Sequence, residues 1–166
     1  GAACCAAALV VSQAMAQAPQ LGQPITPAEL APWNIGIPVD GAGLPAGRGS
    51  VKEGESVYVA KCQSCHGEKG AGRPNDALVG GLDTIASDKP AVRTVGSYWP
   101  YATTLFDYVR RAMPWSDSKS LTDSEVYAVS AYILHLNGIL GADDALDAQS
   151  LPKVRMPNRD GFIPFP

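Results

Sequence analysis

A chain of 166 residues, 46% hydrophobic and 17% charged, has the size and composition of one compact domain with extensions. Its formal net charge is −3 and it contains no Lys/Arg cluster, which excludes the phosphate-neutralising surface of a nucleic-acid binder.

Residues 1–18 carry no charge, run through Ala6-Ala7-Ala8-Leu9-Val10-Val11 and end in Ala14-Met15-Ala16 or Ala16-Gln17-Ala18. This is the pattern of a signal-peptide remnant with an A-x-A cleavage site, and it predicts export to the periplasm. A retained N-terminal anchor is the alternative. The apolar run is too short for a membrane span, so no transmembrane segment is expected in the mature chain. Cys4, Cys5 and Met15 would leave with the signal, which leaves Cys62 and Cys65 and no disulfide framework.

Residues 19–49 turn to Pro and Gly, with Pro24, Pro27, Pro32, Pro38 and Pro45 beside Gly36, Gly41, Gly43 and Gly47. Trp33, Ile35, Ile37 and Val39 give this arm something to bury, against the domain or against a partner. A helix is predicted to start at Ser50, where Ser50 and Glu53 form a capping box, and to continue through Val57, Tyr58 and Lys61. Gly54 lies inside it. A mid-helix glycine costs about 1 kcal/mol against alanine, so it marks the close approach of another helix unless it is a neutral surface position.

That helix runs into Cys62-Gln63-Ser64-Cys65-His66, a C-x-x-C-H sequence. This spacing is that of a covalent c-type haem site: two thiols form thioethers at the porphyrin edge, and the adjacent histidine reaches the iron. A dithiol redox centre would want a strand-to-helix setting, whereas here a helix precedes the motif and a glycine-rich loop follows it. Zinc would need two further ligands, and only His135 remains. One motif predicts one haem c, with its iron.

From Gly67 to Pro100 the chain is rich in glycine and proline and reads as loops with short helical turns. Such a loop is normal in a small domain when a cofactor supplies core. A second helix is predicted over about Pro100 to Ala112, with Leu105, Tyr108, Val109 and Ala112 on one face, ending at Met113-Pro114. A third starts at the capping box of Thr122 and Glu125, carries Val126, Val129, Ile133 and Leu136 on one stripe, and stops before Gly138. The haem domain is thus bounded at residues 50–141, with an extended tail over 142–166. No strand pattern is visible.

The second axial ligand has three candidates. Met113 leads, because the loop Arg111-Ala112-Met113-Pro114-Trp115 can cross the ring face opposite His66, and a thioether favours reduced iron. Met156 in the tail is the runner-up and His135 the third, with an open sixth position, suited to a haem enzyme or ligand sensor, as the remaining reading. His66 should give its other ring nitrogen to a backbone carbonyl, for which Pro74 is the nearest supplier unless it only forms a turn. Arg93, Tyr98, Trp99 and Tyr101 are candidate contacts to the haem carboxylates, or ordinary pocket packing.

An N-terminal helix running into C-x-x-C-H, a methionine loop and a capped C-terminal helix resemble a class I cytochrome c over Ser50 to Gly138. The resemblance implies an all-α fold with arm and tail added, and a C-terminal helix crossing the first. Its weakest match is Pro74, which stands further before Leu78-Val79-Gly80 than in the family pattern. A narrower resemblance rests on Trp33-Asn34-Ile35, on Asp40 to Pro45, on Gly96 to Tyr108 and on Met156 to Phe162. These stretches are similar to the cytochrome subunits of bacterial sulfite and sulfane dehydrogenases, the SoxD/SorB type. That likeness implies a molybdenum-cofactor subunit as electron donor, a downstream cytochrome or oxidase as acceptor, and no acid, base or nucleophile on this chain. A diffusible shuttle, or the haem subunit of another periplasmic dehydrogenase, is the competing expectation.

Overall fold

The computed structural model describes residues 21–163. The signal-peptide reading of residues 1–18 lies outside them. Contacts divide the chain into a unit Gly1–Asn34 and a unit Ile35–Pro166. In the described part of the first, helix α1 (Pro27–Leu30) is a single turn fixed by a Thr26/Glu29 capping box. Trp33 is 80% exposed.

The second unit opens with strand β1 (Arg48–Ser50), followed directly by helix α2 (Val51–Lys61) and the short helix α3 (Gln63–His66). After a long irregular stretch come α4 (Val95–Tyr98), α5 (Ala102–Ala112) and α6 (Asp123–Leu136), and then strand β2 (Ala145–Asp147). The fold is all-α apart from one small antiparallel pair, in which Arg48, Gly49 and Ser50 face Asp147, Leu146 and Ala145. That pair corrects the expectation of no strand. Three residues a side are too few to show an alternating pattern in sequence, and Gly49 hides the one position that faces the core.

Both expected capping boxes are present: Ser50 Oγ accepts from Glu53 N–H and Thr122 Oγ1 from Glu125 N–H, while each glutamate reaches back to the cap. Helix α6 begins where its cap predicts, but its burial is wider than one stripe, because every residue from Val126 to Leu134 is buried. Helix α2 covers one side of it, α5 another, and the strand pair a third.

The crossing of α2 and α6 depends on two glycines. A Cβ at Gly54 would overlap the carbonyl oxygen of Ala128 and come within 2.8 Å of Tyr132 Cβ; one at Gly49 would overlap the Ala128 backbone nitrogen. The close-approach reading of Gly54 is thereby met. Around this contact Tyr58, Phe106, Tyr127, Val126, Val129 and Leu134 are fully enclosed, with Phe106 and Tyr127 rings 4.4 Å apart.

The tail is part of this core rather than a free extension, since Leu146, Leu151 and Met156 are all buried. In the arm, Ile37 is buried and its N–H donates to Asp107 Oδ1 at 3.1 Å, while Val39 stays 49% exposed. Among the described residues no helix is long and apolar enough to cross a membrane.

Gly54→Ala should destabilise the haem-loaded protein by about 1–3 kcal/mol, the cost of overpacking, even though alanine is intrinsically the better helix former by about 1 kcal/mol. Urea unfolding beside Lys52→Ala, an exposed position on the same helix, measures it; equal midpoints for the two variants would refute the close-contact account.

Candidate functional site

Helix α2 delivers Cys62 as its C-cap, and α3 then turns Cys65 and His66 into a cleft between α3, α5 and α6. Its wall is mostly apolar, with Leu78, Val95, Leu105, Val109, Val129 and Ile133 backing Cys62, Cys65, His66 and Met113. The structure therefore brings the predicted anchors, the histidine and the leading methionine onto one cavity.

The other two candidate ligands are elsewhere. Met156 is 1% exposed in the core and His135 Nδ1 bonds the Leu140 carbonyl oxygen at 2.9 Å, and neither lines the cleft. Met113 sits there because α5 stops at Ala112 and Met113 takes an extended conformation before Pro114. Its N–H still closes the helix on the Val109 carbonyl.

His66 is oriented by backbone, as expected, but not by the expected residue. Its Nδ1 lies 2.9 Å from the carbonyl oxygen of Asp76, not that of Pro74. The loop after the motif is pinned first by Gly72 N–H on the His66 carbonyl and Asn75 N–H on the Cys65 carbonyl. Only the residue beyond Asn75 then reaches the ring. Tyr58 Oη adds a bond of 2.8 Å to the Gly67 carbonyl; burial pushes its phenol up to about 12.

Asn137, the C-cap of α6, went unnoticed in the sequence reading although it stands just before Gly138. Its Nδ2 donates to the Leu78 carbonyl at 3.1 Å and to the Ile133 carbonyl at 2.9 Å, tying the loop that carries Asp76 to the helix that floors the cleft. Gly96 leaves room for it, since a Cβ there would stand 2.8 Å from Asn137 Cβ. Trp115, 81% exposed and read only as part of the methionine loop, lies at the cleft mouth directly after the Met113-Pro114 step.

Of the four residues proposed for the haem carboxylates, Trp99 lines the cleft, edge-on to Tyr108 at 5.7 Å, and Arg93 lines a second lobe that shares His66, Trp99 and Met113 with it. Tyr98 and Tyr101 line neither lobe. They meet the tail, Tyr98 edge-on to Phe162 at 5.3 Å and Tyr101 beneath Arg159 at 4.4 Å.

The donor set fits a covalently held haem. Cys62 and Cys65 are free thiols, not a disulfide. Burial, with a smaller contribution from Cys65, pushes the Cys62 thiol up to about 11. That keeps it neutral, as its apolar surroundings demand. Among the described residues no group of three or more His, Cys, Asp or Glu could hold a metal ion by itself.

Helix order, glycine crossing and cleft together define a class I c-type cytochrome. A family model, cytochrome C oxidase, cbb3-type, subunit III, matches residues 49–133, just over half of the chain, and the chain belongs to that cytochrome c family. A chain of the sulfane dehydrogenase SoxCD from Paracoccus pantotrophus is similar over 89% of this chain and 73% of its own, with 36% identity and a TM-score of 0.80. A thiosulfate dehydrogenase of Psychrobacter arcticus is 30% identical over 102 residues, 55% of this chain but only 31% of that protein.

Replacing Asn137 by alanine should leave the Leu78 carbonyl unpaired and cost about 1–3 kcal/mol. Hydrogen exchange should show the Leu78 amide, which bonds the Gly70 carbonyl, opening faster. Unchanged protection at Leu78 would show that the loop does not depend on Asn137.

Proposed function

We propose that this chain is a periplasmic, mono-haem electron-transfer subunit that accepts electrons from a molybdenum-dependent sulfite or sulfane dehydrogenase and passes them to a downstream cytochrome or oxidase. The observation that carries the proposal is the SoxCD likeness over 89% of the chain, which takes in much of the arm and tail as well as the cytochrome body. The charge-free, A-x-A-terminated residues 1–18 support export.

In this reading Cys62 and Cys65 would tether the porphyrin edge, and His66 and Met113 would bind the iron. A bound haem supplies a one-electron Fe(III)/Fe(II) couple. The Asp76 carbonyl holds the His66 ring in one orientation and, by accepting from Nδ1, strengthens it as a donor. The apolar wall of Leu78, Val95, Leu105, Val109, Val129 and Ile133 excludes water, which together with a thioether ligand favours the less charged, reduced state. No side chain is asked to move a proton.

Met113→Ala should abolish the methionine-to-iron absorption band and lower the potential, whereas Met156→Leu and His135→Gln should keep both. Retention of the band in Met113→Ala would overturn the ligand assignment.

The partner is tested by mixing the purified cytochrome with its candidate molybdenum subunit and adding sulfite or a sulfane donor. Rapid haem reduction that needs both subunit and sulfur compound is expected, and none would refute the donor. The thiosulfate dehydrogenase likeness favours a second reading, a haem module serving thiosulfate oxidation; reduction by thiosulfate alone would select it.

A further inference from the structure

The two lobes of the cleft include only two lysine or arginine side chains, Lys61 on α2 and Arg93 ahead of α4. A haem brings carboxylates to such a cleft, so the placement of these cations matters. Lys61 is an exposed residue in the last turn of α2. Arg93 is exposed, lies at the end of the irregular stretch and makes no ion pair among the described residues.

What holds it is an aromatic ring. The Arg93 guanidinium carbon lies 5.4 Å from the centroid of Tyr98, within cation–π range. Tyr98 is in turn fixed from the tail. Phe162 packs edge-on against its ring at 5.3 Å, and Asn158 Nδ2 donates to its carbonyl oxygen at 2.7 Å. The tail segment is itself anchored by Met156, 1% exposed in the core. Below Arg93, the Thr94/Ser97 box and the Thr94 Oγ1 bond to the Gly80 carbonyl set the backbone rigidly. The side chain is left with one specific restraint, and that restraint leads to the tail.

We propose that residues 155–162 act through Tyr98 as a positioning device for Arg93, holding its positive charge at the rim of the haem cleft and thereby raising the reduction potential. The proposal rests on the haem reading of the cleft but not on the identity of the electron donor. Coulomb attraction fixes its sign: a cation held near the porphyrin favours the state with the extra electron. Tyr98 and Phe162 never touch the haem in this scheme; they act only through Arg93.

Potentiometric titration of the haem-loaded protein, with no partner present, tests it on Arg93→Gln, Arg93→Lys, Phe162→Ala and the double variant Arg93→Gln/Phe162→Ala. Arg93 and Phe162 are exposed, so neither change disturbs the core. Arg93→Gln should lower the potential by a several-fold fall in the reduced-to-oxidised ratio, where tenfold corresponds to about 59 mV for one electron. Arg93→Lys should recover part of it. Phe162→Ala should lower the potential by a fraction of the same amount, and the double variant no further than Arg93→Gln alone. An unshifted potential in Arg93→Gln, or a full Phe162→Ala shift persisting without Arg93, would overturn the coupling. Because no dehydrogenase enters the measurement, failure here leaves the donor assignment intact, and failure of the donor assay leaves this result standing.

Discussion

The contact of α2 with the backbone of α6 at Ala128 is the constraint on which the rest of the molecule depends. Two positions without a Cβ, Gly49 and Gly54, let the helices approach until backbone meets backbone. Since α2 ends at the first cysteine of the motif, this approach also fixes how far the motif stands from Val129 and Ile133, which floor the cleft. Packing at one end of the helix therefore sets chemistry at the other. A looser crossing would move anchors and floor relative to each other, and interiors at native density have little slack to absorb it.

The opposite wall is assembled by different means. From Gly67 to Thr94 there is almost no regular structure, and the chain is held by single bonds to fixed points: Gly67 to the Tyr58 phenol, Asn75 to the Cys65 carbonyl, Leu78 to Asn137, Thr94 to Gly80. These points lie on α2, α3, α6 or the loop itself. The histidine is thus aimed by a loop whose own shape is borrowed from the helices, which is why an irregular segment can present one carbonyl at hydrogen-bond distance. Buried polar groups must be paired; among the buried side-chain N and O atoms of the described residues only Ser130 Oγ and Asn137 Oδ1, on α6 and at its cap, lack a partner.

How much of this was legible in the sequence follows from what kind of signal each part leaves. The helix starts were readable because a capping box is local, two side chains three residues apart, and both boxes at Ser50 and Thr122 formed. The motif was readable because covalent chemistry fixes its spacing. Gly54 was readable as a helix contact because an unexplained glycine inside a capped helix is costly. The Asp76 carbonyl was not, since a backbone acceptor carries no side-chain signature and its selection depends on how the preceding loop is pinned. Tyr98 and Tyr101 were assigned to the cleft on residue type, yet their partners Phe162 and Arg159 come from some 60 residues downstream, where no local pattern could announce them. The tail's burial was hidden likewise: Leu146, Leu151 and Met156 are isolated apolar residues among prolines and aspartates, and only the fold gathers them.

The strand pair matters for where it stands rather than for its size. Arg48 to Ser50 lead into α2 and Ala145 to Asp147 follow α6, and they are hydrogen-bonded to each other. Ile37 before the pair and Leu151 and Met156 after it are buried with the helices, so the pair lies inside the body rather than at its border. Because Gly49 seats this pair on Ala128, the tail takes its register from the same backbone contact that places the first cysteine, and three residues a side are enough to transmit it.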